Sequence, residues 1–356
     1  MCIWQLIAEG ILSYNTGMDW HIFGHDWAVN LLRTHAAGDK LRHAYLFVGP
    51  EGIGKTTLAL RFAQALNCSQ APAPGSFCGV CRDCRQTFSM QYPDLSLVVP
   101  EEGHKDIRID QIRTLQHTLA LTPYAASYRI ALLPDFQSVT EQAENALLKT
   151  LEEPPDRVIL LLTALSPEGL LPTIVSRCEV IRLRPASVSE AQAFLEADQG
   201  LDTEKADLIA HLSGGRIGAA IRLAQDPEAL YRRKAHLLAF LELLSAKRYE
   251  RFMLAETLSK DGGRARQNVR EVLSIWLSYW RDVFVRCSGA AIDMVNIDLL
   301  PQVDYVAARM AVNEARRLVV SHEKALQQLD AYANVRLLLE TLMLQWPTIT
   351  VPMPEV

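Results

Sequence analysis

One glycine-rich stretch limits the fold of this chain more than any other: Gly49-Pro50-Glu51-Gly52-Ile53-Gly54-Lys55-Thr56-Thr57. It fits the P-loop pattern G-x-x-x-x-G-K-[ST]. In such a loop, glycines let backbone N–H groups turn onto a phosphate, the lysine reaches the β- and γ-phosphates, and the threonine hydroxyl can bind Mg²⁺. The pattern predicts that ATP or ADP is bound by six residues: Gly49, Gly52, Gly54, Lys55, Thr56 and Thr57. A loop that keeps this shape without catalysis is the alternative.

The residues on either side of the loop agree with this interpretation. Ala44–Val48 is a short apolar run typical of a buried strand, and Leu58, Phe62 and Leu66 recur at helical spacing. A strand, a glycine loop and a helix in this order place phosphate at a helix N-terminus.

Further apolar runs predict four more strands, at residues 95–99, 129–133, 157–162 and 179–183. Helical patterns lie between them, including Ile107–Leu121 and a helix that Ser138 would cap, with Glu141 completing a capping box. Near-continuous apolar strands that alternate with helices predict an α/β fold whose parallel sheet is covered on both faces.

Strand signals fade after Pro185, and the rest of the chain has the period of helices. Ser187 and Glu190 predict a capping box at the first of them. The clearest longer helices are expected at residues 231–244, 265–285, 305–328 and 334–344. The sequence thus predicts a P-loop domain at 18–185, a small helical unit at 186–226, an all-helical domain at 227–346 and a loose, proline-containing tail at 347–356.

Four cysteines follow the P-loop helix with the spacing of a metal site: Cys68, Cys78, Cys81 and Cys84. Four thiolates suffice for a tetrahedral Zn²⁺ centre, and four protein ligands leave no open position for catalysis, so the predicted zinc is structural. An iron–sulfur cluster and disulfides are the alternatives, although disulfides are rare in a reducing cytosol. Cys2, Cys178 and Cys287 are isolated and are expected to be ordinary thiols.

Composition bounds the remaining possibilities. A chain of 356 residues predicts two or three domains, and 49% hydrophobic with 22% charged residues is ordinary for a soluble protein. Residues 1–17 lack a basic signal-peptide region, so we expect a disordered or misassigned leader with the natural start at Met18, in a cytoplasmic protein. The net charge of −5 predicts no global positive field, so DNA would be contacted through a local patch or through partner chains.

Together these features resemble the AAA+ subunits of bacterial clamp loaders. The resemblance covers residues 18–345 and rests on Arg42–Pro50, the P-loop, the inserted cysteine cluster, Asn145–Pro155 and Ser176-Arg177-Cys178. Within that family the chain is most similar to the delta-prime branch of the DNA polymerase III clamp loaders, beside the ATPase branch, gamma/tau.

The resemblance implies both a fold and a role. The fold would be an AAA+ module with a five-stranded parallel sheet, a helical lid at 186–226 and a helical collar at 227–346 that holds subunits in a ring of five. The partners would be gamma/tau and delta subunits, the sliding clamp, and primer–template DNA reached through the assembled complex. The role would be to help load the sliding clamp onto primed DNA during chromosomal replication, with no membrane involved.

Several positions depart from a working ATPase of this family. An active site needs an Asp to hold Mg²⁺ and a Glu to orient water after the third strand, and these positions fall on Pro134 and Asp135. The lid arginine that reaches the γ-phosphate in active subunits falls on Gly218, with Arg216 two residues earlier as a possible substitute. We therefore expect weak or absent hydrolysis and no firm Mg²⁺ site.

Arg177, by contrast, indicates a catalytic role, but in the ATP site of another subunit. In this family the arginine of Ser-Arg-Cys projects into the ATP site of a neighbouring subunit, where an arginine stabilises charge on the transferred phosphoryl group. An ion pair with a nearby carboxylate is the alternative, because exposed arginines commonly make one.

Three functions compete at this point. The first is a clamp-loader subunit that gives Arg177 to its neighbour, and the second is an active gamma/tau-like ATPase. The third is a small-molecule P-loop kinase, which the cysteine insertion, the 145–155 run and the helical C-terminal third argue against.

Overall fold

The computed structural model describes residues 20–38, 40–101, 103–260, 265–331 and 333–354. The predicted leader at 1–17 and the start at Met18 lie outside these residues. The described chain forms two compact units. The first comprises its residues up to Ala186 together with Arg216–Ala219, and the second comprises Ser187–Gly215 with the residues from Ala220 onward.

A five-stranded sheet forms the centre of the first unit, as predicted. Its strands, numbered in chain order, are β1 (Ala44–Val48), β2 (Leu95–Leu97), β3 (Arg129–Leu133), β4 (Val158–Ala164) and β5 (Glu179–Arg182). They lie in the order β2-β3-β4-β1-β5, and every neighbouring pair is parallel. The predicted five-stranded parallel sheet is therefore confirmed.

Both faces of the sheet are buried, as the apolar strands predict. Successive side chains of a strand point to opposite faces. Accordingly Tyr45 and Phe47 of β1 pack in one apolar cluster, whereas Ala44, Leu46 and Val48 pack in another. All five residues of β1 are buried. This packing holds in place the C-terminal end of β1, where the P-loop begins.

Six α-helices lie among the described residues up to Ala186. They are α1 (Asp26–Ala37), α2 (Lys55–Asn67), α3 (Arg82–Phe88), α4 (Ile109–Leu119), α5 (Glu141–Glu152) and α6 (Pro172–Val175). The predicted capping box at Ser138 is wrong, because α5 begins at Glu141 after Thr140. Ser138 instead lies in a 3-10 turn, Phe136–Ser138, whose end is held by the Ile107 N–H donating to the Ser138 carbonyl at 2.8 Å.

The second unit is helical, as predicted, and has a core of its own. Its helices are α7 (Val188–Gln199), α8 (Thr203–Ser213), α9 (Ile217–Gln225), α10 (Pro227–Ser245), α11 (Arg248–Ser259), α12 (Ala265–Ser288), α13 (Leu300–Ala307), α14 (Val312–Asp330) and α15 (Val335–Leu344). The first turn of α9 belongs to the first unit. The predicted capping box is confirmed at the start of α7, where Ser187 and Glu190 satisfy each other's backbone.

Two predictions for this unit differ from the structure. The helix expected at 305–328 is two helices, because Ala311 adopts an extended conformation and begins a new helix. The tail expected to be loose is held along its described length: Val351 is buried, and the Ile349 N–H donates to the Leu244 carbonyl at 3.0 Å.

No helix among the described residues is long and apolar enough to cross a membrane.

Candidate nucleotide site, arginine and metal centre

The P-loop connects β1 to α2 and has the backbone that its glycines allow. Gly52 and Gly54 have φ angles of 76° and 106°, which favour glycine over other residues. A Cβ on Gly49 would meet the Leu183 carbonyl oxygen at 2.8 Å, whereas a Cβ on Gly54 would meet nothing within 4 Å. The space beside Gly54, at the N-terminus of α2, is therefore open at the position where the motif predicts a phosphate.

Lys55 already has partners within the loop. Its side chain is 7% exposed, and its Nζ donates to the carbonyl oxygens of Gly49 at 2.8 Å and Pro50 at 3.1 Å. Burial lowers the pKa of Lys55, while the charges of Asp135 and Glu51 oppose that shift. Thr56 and Thr57 are half-buried in the first turn of α2.

The residues after β3 lack the acids of a working ATPase. Pro134 is buried at the position expected for the Mg²⁺ ligand, and it has no side-chain ligand atom. The side chain of Asp135 is exposed, and its backbone has a left-handed conformation with φ of 49°. The Asp135 backbone N–H donates to the Thr163 hydroxyl at 3.0 Å. The one carboxylate directly after β3 is therefore that of Asp135, whose charge acts on Lys55.

The first turn of α9 lies directly on the P-loop. The Ala219 N–H donates to the Gly52 carbonyl at 2.9 Å, and Arg216 Nη1 donates to the Glu51 carbonyl at 3.3 Å. A Cβ on Gly218 would lie 2.8 Å from the same Gly52 oxygen. A side chain at Gly218, the position where the resemblance led us to expect a lid arginine in active subunits, would clash with the loop, and Arg216 donates to the loop backbone.

A buried histidine near the loop was not predicted. His25, 3% exposed, lies 3.2 Å through Nε2 from the Ile53 carbonyl oxygen. Burial lowers its pKa, so the ring is neutral near pH 7 and its Nε2–H is the donor. The one sequence signal for this histidine is its position directly before α1.

Arg177 follows α6 and has a carboxylate partner in the isolated chain. Its Nη2 donates to Glu152 Oε1 at 2.7 Å, and its Nη1 donates to the Thr173 carbonyl at 3.0 Å. The two side chains are 34% and 52% exposed. The local ion pair considered as the alternative is thus present, and sequence reasoning did not identify Glu152 as the partner because the two lie far apart in the chain.

The four predicted cysteines converge. The sulfur atoms of Cys68, Cys78, Cys81 and Cys84 all lie within 4.8 Å of one another. The closest pairs are 3.7 Å and 3.9 Å apart, too far for disulfides. Four sulfurs about 2.3 Å from a tetrahedral Zn²⁺ would be about 3.8 Å apart. The cluster therefore fits zinc.

Backbone N–H groups point at these sulfurs. Cys78 donates to the sulfur of Cys68, Cys81 to that of Cys78, and Cys84 to that of Cys81, each at 3.3 Å. Burial raises the pKa of Cys78, but N–H groups of Cys81 and Val80 and the neighbouring thiols outweigh it and lower that pKa to about 7. Such donors favour thiolates, which are the form that binds metal.

Comparison with known proteins assigns a family. Sequence models described as "DNA polymerase III, delta subunit" and "DNA polymerase III, delta subunit, C terminal" match residues 24–187 and 227–348. DNA polymerase III subunit delta' of Bacillus subtilis is 27% identical over 316 residues, which are 89% of this chain and 94% of that protein. The chain belongs to the delta-prime family of DNA polymerase III subunits.

Other delta-prime and tau proteins match about half of the chain. The delta-prime protein of Pseudomonas aeruginosa is 38% identical over 182 residues, which are 51% of this chain and about half, 55%, of that protein. DNA polymerase III subunit tau of Escherichia coli is 31% identical over 175 residues, which are 49% of this chain and 27% of that protein. The delta-prime assignment agrees with the resemblance carried by the P-loop, the 145–155 run and the Ser-Arg-Cys motif.

Proposed function

We propose that this chain is the delta-prime subunit of a bacterial DNA polymerase III clamp loader. In this role it hydrolyses little or no ATP itself and supplies Arg177 to the ATP site of a neighbouring gamma/tau subunit. The observation that carries the proposal is Pro134, a buried residue without a ligand atom at the end of β3, where an ATPase needs its metal-binding acid.

Three further observations support the same role. Gly218 lies too close to the Gly52 oxygen for any side chain, so the lid provides no arginine at that position. The side chain of Arg177 is one-third exposed, and that of its partner Glu152 is half exposed. Such a surface ion pair contributes about 1 kcal/mol or less, so Arg177 can leave it to bind a phosphate. Lys55 donates to the carbonyls of Gly49 and Pro50, so its charge has partners within the loop itself.

Cofactors and partners follow from this role. Zn²⁺ on Cys68, Cys78, Cys81 and Cys84 would be structural, holding the segment between α2 and α3. ATP or ADP could bind beside Gly54 without turnover. The partners would be gamma/tau and delta subunits in a heteropentamer, the sliding clamp, and primer–template DNA through the complex, all in the cytoplasm.

The competing function is an active gamma/tau-like ATPase, which the intact P-loop and the proximity of Asp135 to Lys55 favour. Steady-state hydrolysis by the purified chain separates the two. We expect turnover near background. A kcat of about 1 s⁻¹ or more, within the usual range for enzymes, that Lys55→Ala abolishes would establish the ATPase instead.

Assembly provides the second test. The chain should co-purify with gamma/tau and delta subunits, and the mixture should hydrolyse ATP in response to clamp and primed DNA. Failure to enter such a complex would contradict the proposed role even if the chain itself is inactive.

A further inference from the structure

Arg61 is a buried cation beside the cysteine cluster. It lies on α2 and is 8% exposed, with its guanidinium over the rings of Phe77 at 5.3 Å and Phe88 at 4.9 Å. Its Nη1 donates to Gln64 Oε1 at 3.1 Å, and Gln64 Nε2 donates to the Cys84 carbonyl at 2.7 Å. The arginine is thus joined to the metal-binding segment by packing and by a short hydrogen-bond chain.

Arg61 has no carboxylate partner among the described residues. In the part of the chain that the structure describes, Arg61 has no ion pair, and its Nε is buried without a hydrogen-bond partner. Burial lowers the pKa of Arg61 to about 10, and the nearby Cys84 opposes this. An unpaired buried charge is costly, because burial removes the hydration of the ion.

The other two arginines described as buried have different partners. Arg129 pairs with the buried Asp94 at 3.1 Å. Arg251 donates to five backbone carbonyls, those of Leu243, Leu244, Met343, Trp346 and Pro347. Among the described residues Arg61 has neither a carboxylate nor a set of carbonyls, and the negative group that acts on its charge is Cys84 of the cysteine cluster.

A zinc ion on four thiolates has a net charge of −2, because four negative sulfurs exceed the charge of the metal. We propose that Arg61 is a positioning residue for this centre: its buried charge offsets the excess negative charge of the zinc tetrathiolate and raises the affinity for the metal. This inference rests on the proposed zinc site. It predicts that Arg61 and the metal stabilise each other, so that each is unfavourable without the other.

Three single variants of the full chain test the inference. Arg61→Met keeps length and packing but removes the charge, Arg61→Lys keeps a charge between the two rings, and Arg85→Met removes an exposed arginine on α3 as a control. Zinc affinity is measured by competition with a chelating dye. Arg61→Met should weaken zinc binding about 10- to 100-fold, the usual effect of losing a group that supports a metal ligand. Arg61→Lys should recover part of this loss, and Arg85→Met should match the parent chain.

The melting temperature provides a readout that packing alone would not reproduce. With zinc bound, Arg61→Met should lower the melting temperature. With zinc removed by a chelator, the same substitution should raise it, because an uncompensated buried charge is gone. Equal zinc affinity in Arg61→Met and the parent chain, or a melting shift of the same sign in both metal states, would overturn the inference. A parent chain that binds no zinc would instead contradict the zinc site itself.

Discussion

Arg177→Ala is expected to leave this chain folded while impairing the ATPase of the assembled loader. The substitution removes the 2.7 Å ion pair with Glu152 and the bond to the Thr173 carbonyl. Both charged side chains are at least one-third exposed, so solvent screening limits the loss of folding free energy to about 0.5–1 kcal/mol. Ring assembly should persist, since no buried contact is lost.

The catalytic effect should be much larger at one site. An arginine supplied in trans to a phosphoryl-transfer site accelerates it by about 10³–10⁵-fold. The neighbouring gamma/tau site should therefore become almost inactive. Because other sites in the loader continue to turn over, the DNA- and clamp-stimulated ATPase should fall only in part. Clamp loading should fall further, because opening and release require the sites to act together.

The assay compares two variants in one reconstituted complex, with Lys55→Ala in this same chain as the matched control. If the chain works through its neighbour, Lys55→Ala should affect loading far less than Arg177→Ala. Glu152→Gln adds a third arm: it releases Arg177 from its local partner and should not reduce the ATPase. Severe loss of loading with Lys55→Ala but none with Arg177→Ala would refute the reasoning and identify this subunit as a motor.

Three further predictions concern metal, backbone and pH. Cys81→Ser should abolish stoichiometric zinc in metal analysis and increase proteolysis between residues 68 and 84 while the sheet stays folded; a metal-free parent chain would contradict this. Gly218→Ala places a methyl 2.8 Å from the Gly52 oxygen and should lower the free energy of unfolding by about 1–3 kcal/mol in urea titrations, whereas Gly169→Ala meets nothing within 4 Å and should be near neutral. Burial lowers the pKa of His322 to about 4, so the unfolded state takes up a proton first as pH falls below 6.5. Unfolding free energy should drop by about 2 kcal/mol between pH 7.5 and pH 5, and His322→Gln should flatten that dependence.

The sequence predicted those features that depend on local spacing. The strand at Arg129–Leu133 and the convergence of the four cysteines follow from patterns that few alternatives can satisfy. Two identical S-x-x-E patterns had different outcomes, however. Ser187 caps α7, whereas Ser138 is held in a 3-10 turn next to the bridge between Ile107 and Val139. A contact with a distant segment, which the local pattern does not contain, decided between them.

The features that sequence reasoning missed are contacts between distant segments. Glu152 ends α5 and meets Arg177 beyond α6, and Arg61 meets Phe77 across the cysteine segment. Neither pair has a spacing signature, because the fold rather than the helix period brings them together. The glutamate lies within the 145–155 run that carried the family resemblance, so the resemblance covered the residue but not its partner.

The P-loop has all its motif residues, and several of its polar groups form hydrogen bonds within the protein. A nucleotide-binding loop presents unpaired polar groups to a phosphate, and those groups need partners when it is absent. Here the Gly52 carbonyl accepts from Ala219, and Lys55 donates to Gly49 and Pro50, so several polar groups of the loop are bonded within the protein. The space beside Gly54, where the motif predicts a phosphate, is open to a Cβ. The presence of the motif letters in this chain is therefore compatible with a loop that supports the contact with Ala219, and the proposed role places the chemistry with Arg177 in a neighbouring site.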